Sequence, residues 1–444
     1  MNPLDSAIAQ HPDIPAFDDG TTQISYGALR ATLADSQIGK LTNIAEGDNV
    51  AWVPTNDVDS FLTFWVLQER MCVACPISSR FSGRAQEEFV DQIGAKWLPD
   101  LLLQQSSPLP KGKDISTALK EESPATLIFS SGSTGPPKAV VHSMAAHVAN
   151  AVGSAENIPF NAGDRWCWSL PLCHISGLSI LVRCAVAGAT VVGIENGQRL
   201  DGELLNRLRV SHLSLVATQL QRLLADHSFP SPYLRTILLG GSSVDPNLVV
   251  DARQKGIDVR TTYGLTEMAS QVTTSDSQGA ANASGRVLNR RQLKLTAAGE
   301  ILVRGETLCL GYLRSGNIES VVDEQGWFHT SDLGEFDNDG ELVVKGRIDN
   351  MFISGGENVH PENIERAMVS LFGLEQVLVV PKSDTEFGAR PVAFVQGTLP
   401  TDWKDKLSLL LPRYEIPIEV LPWPDKTGGA IKPSRSYFQS LASD

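Results

Sequence analysis

Apolar and polar positions run through this chain in short paired patterns, an extended segment followed by one with helical spacing. Gln23-Ile24-Ser25-Tyr26 precedes Gly27-Ala28-Leu29-Arg30, and Asp48-Asn49-Val50-Ala51-Trp52-Val53 precedes the apolar-periodic Ser60-Phe61-Leu62-Thr63-Phe64-Trp65-Val66-Leu67. That alternation predicts βαβ units over residues 1 to about 120. A polar, proline-containing stretch over 104–119 predicts a surface crossing. Two apolar, β-branched runs follow, Ala125-Thr126-Leu127-Ile128-Phe129 and Ala139-Val140-Val141-His142, which predict strands joined by a polar loop. Ser143 is placed to cap a helix running through His147, Val148 and Val152. Residues 166–177 predict a strand ending in a Pro/His/Gly turn, and 213–219 and 236–243 predict buried strands ending in small polar residues. From Glu300 the pattern changes to short strands and turns, which predicts a small β subdomain. Arg347-Ile348-Asp349-Asn350 then leads into about a hundred residues with strand and helix signals of their own.

The loop between the two apolar runs, Ser130-Ser131-Gly132-Ser133-Thr134-Gly135-Pro136-Pro137-Lys138, carries candidate chemistry. Gly132 and Gly135 let backbone amides turn toward an anion, while four hydroxyls and Lys138 add donors and positive charge. A Walker A loop is excluded, because it needs G-x-x-x-x-G-K-[ST] opening a helix and the next element here reads as extended. Gly240-Gly241 is either a tight turn or a place where a flat base approaches the backbone. Tyr263-Gly264-Leu265-Thr266-Glu267 offers a tyrosine, a hydroxyl and a carboxylate together.

At 444 residues and 48.0 kDa the chain exceeds what one core usually supports, so two or more domains are expected. The net charge of −14 argues against a nucleic-acid or anionic-membrane partner, so anionic ligands must be met by local basic groups. Cys72, Cys75, Cys167, Cys173, Cys184 and Cys309 are scattered in apolar runs and read as buried thiols in a reducing compartment. Cys72-x-x-Cys75 has the spacing of half a zinc site, but no second pair follows, so no metal is assigned to cysteine. Met1-Asn2-Pro3-Leu4-Asp5 has neither basic start nor apolar core, and a cytoplasmic protein without a membrane span is expected.

Five segments in order now matter together: the Ser130 to Lys138 loop, Tyr263-Gly264-Leu265-Thr266-Glu267, Thr330-Ser331-Asp332, Gly346-Arg347-Ile348-Asp349 and a terminal segment ending in Lys432. They resemble the signature segments of the adenylate-forming superfamily of acyl-CoA synthetases, adenylation domains and luciferases, over a span from Ile24-Ser25-Tyr26 to Arg435. Within it, the short length, Ser354-Gly355-Gly356-Glu357-Asn358-Val359-His360-Pro361, Phe387-Gly388-Ala389-Arg390-Pro391-Val392-Ala393 and Gly428-Gly429-Ala430-Ile431-Lys432 look most like the o-succinylbenzoate-CoA ligases of menaquinone or phylloquinone biosynthesis. The resemblance implies an α/β adenylate-forming fold. Residues 1–346 would be an N-terminal domain of βαβ subdomains plus a small β-barrel-like subdomain, 347–349 a hinge, and 350–444 a mobile α+β C-terminal domain carrying the catalytic lysine.

Residue by residue, the resemblance gives Thr134 and Lys138 to the pyrophosphate-side oxygens of ATP, with Ser131 and Ser133 in the same loop. It gives Gly240, Gly241 and Tyr263 to the adenine, with Ser242 beside them, Thr266 to the α-phosphate, Asp332 to the ribose hydroxyls and Arg347 to the ribose or α-phosphate. Glu267 would hold Mg²⁺, and Lys432, Thr266, Glu267 and His174 would form the catalytic set, with His174 beside the acyl carboxylate. An extra residue between Thr427 and Lys432 leaves Lys426 as an alternative lysine. His174, Ser176, Gln219, Arg222, Thr262 and Ser270 are the candidate acyl-pocket residues, Asp349 the hinge, and Ser354, Gly355, Gly356, Glu357 and Asn358 the lining of a thiol tunnel. ATP, Mg²⁺ and CoA are the implied cofactor and cosubstrates and o-succinylbenzoate the implied acid; another carboxylic acid or a carrier-protein thiol stays open. Three positions depart from the pattern: Ala217 stands where proline often precedes Thr218, Ser331 where glycine often precedes Asp332, and Gly240-Gly241-Ser242-Ser243 lacks the usual Ala-Pro.

Overall fold

The computed structural model describes residues 2–99, 123–130, 137–194, 198–241, 244–424 and 435–443. The predicted surface crossing at 104–119 lies outside them. Strand Gln23–Ser25 runs into helix Tyr26–Asp35, and strand Asn49–Trp52 into helix Val58–Glu69, as the paired patterns predict. Asp57 starts the second helix by accepting a hydrogen bond from the Ser60 N–H, and the helix is buried on every face from Ser60 to Gln68.

Two large sheets position the site. In a nine-stranded sheet, Arg165–Cys167, His212–Leu215, Thr236–Leu239 and Asp258–Leu265 lie side by side and parallel. Their carboxyl ends therefore open on one edge, where open α/β sheets bind ligands. In a seven-stranded sheet, Pro124–Ser130 and Lys138–Ser143 form an antiparallel pair with Ser130 opposite Lys138, so the polar loop does join two strands. The far side of Lys138–Ser143 pairs with Gly311–Arg314. Ser143 caps helix Met144–Ala155 by accepting from the Ala146 N–H at 3.2 Å.

One predicted strand is shorter than its pattern. Residues 213–219 divide into strand His212–Leu215 and helix Ala217–Leu224. Gln219 turns back so that its Oε1 accepts from the Val216 N–H at 3.1 Å, closing the first turn where an uninterrupted apolar run gives no cue to break. The small β subdomain also begins before residue 300. It is a four-stranded sheet of Arg291–Leu295, Glu300–Gly305, Phe328–Phe336 and Leu342–Arg347, paired antiparallel in that order.

Beyond it, Gln376–Asp384, Gly388–Gln396 and Glu419–Pro422 form a three-stranded sheet covered by helices Pro361–Phe372 and Arg435–Ser443. Among the described residues no hydrophobic cluster spans 345–351; one ends at Val344 and the next begins at Phe352. Polar contacts bridge that gap. Arg366 donates to the carbonyls of Val344 at 2.7 Å and Lys345 at 2.8 Å, and Asn247 Nδ2 donates to Ser370 Oγ at 3.0 Å. All six cysteines are buried free thiols, with burial raising Cys72 to about 11. No described helix is long and apolar enough to cross a membrane.

Candidate active site

Successive parallel strands of the nine-stranded sheet deliver most of the described site residues to one edge. Strand Asp258–Leu265 forms a tight hairpin with Ser270–Thr274 through a one-turn 3-10 segment, Thr266–Met268. A Cβ on Gly264 would lie 1.8 Å from the Ser270 carbonyl oxygen, so the hairpin requires glycine there, while Ala269 and Ser270 take positive φ to complete it. This turn presents Thr266 and Glu267. Their backbone is gripped from two sides: His142 Nε2 donates to the Thr266 carbonyl at 2.7 Å and the Cys309 N–H to the Glu267 carbonyl at 2.7 Å. Burial pulls the His142 imidazole down to about 4, so near neutrality it is an uncharged donor.

Behind the turn, Tyr263 donates its hydroxyl to Asp332 Oδ2 at 2.6 Å, and Arg347 donates to Asp332 Oδ1 at 2.8 Å and to Asp349 Oδ2 at 3.2 Å. Burial and the Asp332 carboxylate push the Tyr263 phenol well above its ordinary range, so it remains a donor. Asp332 sits on strand Phe328–Phe336 directly opposite Arg347. Ser331, just before it, has φ +59°, which explains why glycine suits that position. Asp332, expected at the ribose, thus ties together Tyr263, expected at the adenine, and Arg347, expected at the ribose or α-phosphate.

Glu267 is 9% exposed, and its Oε1 accepts from the Tyr312 hydroxyl at 2.8 Å. Lys138 Nζ lies 5.0 Å over the same ring. Among the described residues no cluster of three or more His, Cys, Asp or Glu could hold a metal by itself. One carboxylate fits Mg²⁺ nonetheless, because that ion is usually held by one or two carboxylates together with substrate phosphates.

Gly240 and Gly241 follow strand Thr236–Leu239. A Cβ on Gly240 would meet Thr262 Cγ2 at 2.6 Å, and Gly241 has φ +85°, so the backbone here is bare by necessity. His174 precedes helix Ile175–Ala187 as its N-cap residue, with Ser176 in the first turn. A Cβ on Gly177 would lie 2.1 Å from the Pro171 carbonyl oxygen, which fixes the turn that carries His174. Asn56 clamps the approach, donating to the Leu170 carbonyl at 2.6 Å and accepting from the Leu172 N–H at 3.0 Å.

The remaining acyl-pocket candidates divide. Gln219 is engaged in the helix cap and donates to the Ser169 carbonyl at 3.3 Å. Arg222 is exposed on the same helix. Thr262 donates to the Thr273 carbonyl at 2.6 Å and contacts Thr274 Oγ1 at 3.1 Å. Ser354 and Glu357 pair across a hairpin turned by Gly355 and Gly356, both with positive φ, in the C-terminal block, with Asn358 on its second strand. Ser131, Ser133, Thr134, Ser242, Lys426 and Lys432 lie outside the described residues.

Sequence reasoning missed Arg183 and Tyr312. Arg183 is fully buried in helix Ile175–Ala187, stacks over Trp166 at 4.3 Å and donates to Gln271 Oε1 at 2.7 Å. Its Nε and Nη1 have no partner among the described residues, and burial lowers its guanidinium to about 10. Gln271 in turn donates to Thr274 Oγ1 at 2.8 Å, which meets Thr262, so Arg183 ends a polar chain that begins beneath Gly240. On its other side Arg183 borders a cavity of about 630 Å³ with His11, Glu156 and Phe160, at the end of the helix away from His174. A lone charge in a thirteen-residue apolar helix was the available signal.

The chain matches the family model of AMP-binding enzymes over residues 4–313. It is 40% identical over 320 residues to the 2-succinylbenzoate-CoA ligase of Escherichia coli strain K12, covering 71% of this chain and 68% of that protein. A variant of E. coli MenE with bound OSB-AMS superposes with a TM-score of 0.86 at 30% identity, covering 99% of this chain and 98% of that one. The Bacillus subtilis o-succinylbenzoate coenzyme A synthetase in complex with ATP and magnesium ion gives 0.84 at 26% identity over 95% of each chain. Fold, site turn and relatives agree: the chain belongs to the AMP-binding, adenylate-forming enzymes and, among them, to the 2-succinylbenzoate-CoA ligases.

Proposed function

We propose that this protein converts o-succinylbenzoate, ATP and CoA to o-succinylbenzoyl-CoA, AMP and pyrophosphate through an acyl-adenylate, in menaquinone or phylloquinone biosynthesis. The observation that carries the reading is the hydrogen-bonded set Tyr263, Asp332 and Arg347 behind the turn that presents Thr266 and Glu267. A carboxylate resists nucleophiles, so it first attacks the α-phosphate of ATP and expels pyrophosphate, which leaves a mixed anhydride. Charge spreads over many oxygens in that transition state, and preorganised donors stabilise it. Asp332 orients the ribose, Arg347 meets the ribose or the α-phosphate, Thr266 faces the α-phosphate, Lys138 and the 130–138 loop hold the leaving pyrophosphate, and Lys432 stabilises the developing charge. Mg²⁺, held on Glu267, neutralises phosphate charge.

The test is mass spectrometry of the CoA products after incubation with ATP, Mg²⁺, CoA and equimolar o-succinylbenzoate, benzoate, coumarate and medium-chain fatty acids. Dominant o-succinylbenzoyl-CoA with AMP is expected. Another acyl-CoA would remove the substrate, and adducts of AMP and acid without thioester would point to a different thiol.

Arg183 is the best-placed reader of the second, unreacting carboxylate, because a fully buried guanidinium with two nitrogens unpartnered among the described residues calls for an anion. Arg183→Met is expected to raise KM for o-succinylbenzoate by roughly tenfold or more, the loss of a charged hydrogen bond, with KM for ATP unchanged. Equal effects on both substrates in steady-state kinetics would remove the assignment.

Residues 347–349 are read as a hinge between blocks 1–346 and 350–444, with Ser354 to Asn358 lining the thiol path after rotation. The gap in hydrophobic packing at 345–351 supports this. Asp349→Pro is expected to preserve pyrophosphate exchange while slowing thioester formation; equal loss of both half-reactions would refute the hinge. Buried free thiols support a cytoplasmic location, for which recovery in the soluble fraction of fractionated cells is the check.

A further inference from the structure

One side chain, Tyr312, links Lys138 at the end of the phosphate loop to the carboxylate of Glu267. We propose that Tyr312 is a positioning residue for adenylation: its hydroxyl orients the carboxylate of Glu267 toward the cation, and its ring holds Lys138 close by until ATP arrives. The inference rests on the roles given above to Glu267 and Lys138.

Three observations carry it. The Tyr312 hydroxyl donates to Glu267 Oε1 at 2.8 Å, which leaves Oε2 to take a cation. A carboxylate only 9% exposed also needs such a donor, since burial of an unpaired charge is costly.

Next, the Lys138 ammonium lies 5.0 Å over the Tyr312 ring rather than on Glu267. A direct ion pair between the two would neutralise both and withdraw them from the phosphates; a cation–π contact holds the lysine at a smaller cost of release. The ring therefore separates two opposite charges that must act on the same triphosphate.

Finally, the backbone enforces the arrangement. Tyr312 pairs with Val140, two residues along the strand from Lys138, and the Cys309 N–H just before this strand donates to the Glu267 carbonyl at 2.7 Å. One short strand thus touches Lys138, the main chain of Glu267 and its carboxylate. When ATP binds, Lys138 leaves the ring for the phosphate oxygens and Tyr312 keeps its hold on Oε1.

A tyrosine that only fills the small β subdomain would tolerate phenylalanine silently, which makes the idea testable. Tyr312→Phe keeps the ring and deletes the hydroxyl; Tyr312→Leu removes both. Calorimetric titration of Mg²⁺ into enzyme with ATP, without any carboxylic acid, is expected to show the midpoint for nucleotide binding raised about tenfold in the Phe variant, as loss of one charge-assisted hydrogen bond predicts. In pyrophosphate exchange, excess Mg²⁺ is expected to restore the Phe variant, whereas the Leu variant also raises KM for ATP. A wild-type Mg²⁺ midpoint in the Phe variant overturns the proposal, and so does a rate loss that excess Mg²⁺ leaves in place. Thermal midpoints taken alongside identify any folding defect, and the binding titration stays readable even if the wild-type protein activates some other acid.

Discussion

Asp332→Ala is expected to raise KM for ATP by about thirtyfold and to lower the melting temperature. The carboxylate is 9% exposed and accepts from Tyr263 at 2.6 Å and Arg347 at 2.8 Å, so it joins strand Phe328–Phe336 to both neighbours of the nucleotide site. Removing it strands a buried phenol donor and takes the nearer carboxylate from a guanidinium. Each such loss costs about 1–3 kcal/mol, discounted for Arg347 because that side chain is 37% exposed. Asp349 retains part of the pairing, 3.2 Å from Arg347, so the chain should still fold. Asp332→Asn keeps an acceptor for Tyr263 and loses the charge, and it should melt closer to wild type while sharing the raised KM. Pyrophosphate exchange at varied ATP with thermal melts reads both terms. A wild-type KM in the two variants would take Asp332 away from the nucleotide.

Lys432→Ala is expected to lower the adenylation rate by about 10²-fold or more, the usual loss of one transition-state charge contact, while leaving thioester formation from supplied acyl-adenylate intact. Lys432 lies outside the described residues, but the chain three residues on is firmly fixed. Arg435, opening helix Arg435–Ser443, donates to Glu365 at 2.7 and 3.0 Å and to Glu362 at 3.2 Å. Phe438 of the same helix is fully buried against Phe394 and Trp423. Unchanged exchange in Lys432→Ala would transfer the role to Lys426, which the same assay on Lys426→Ala would then show.

The local structure around the residues proposed for the nucleotide is legible because it is written in contiguous residues. Tyr263-Gly264-Leu265-Thr266-Glu267 runs from the end of one strand into one turn, and the geometry that forces Gly264 is local. Ser143 as a cap and the strands flanking the 130–138 loop were readable for the same reason. The acyl side was harder. Gln219, expected at the end of a strand, instead closes the first turn of a helix, because local capping won over an apolar run. Arg222 is the cation the local sequence offers and lies exposed, whereas Arg183, proposed above for the second carboxylate, is buried and held by Gln271 eighty-eight residues away. Tyr312 meets Glu267 across forty-five residues, and no periodicity encodes a contact made between sheets.

Arg366 has one more consequence. Strand Leu342–Arg347 is the outer member of its four-stranded sheet, and an outer strand offers unpaired carbonyls that invite another chain. Two of those carbonyls, on Val344 and Lys345, are taken by a single guanidinium reaching from helix Pro361–Phe372. A swing of the later block about the proposed hinge at 347–349 would uncover both carbonyls together, so Arg366 would be what covers this outer edge whenever the two blocks are in contact.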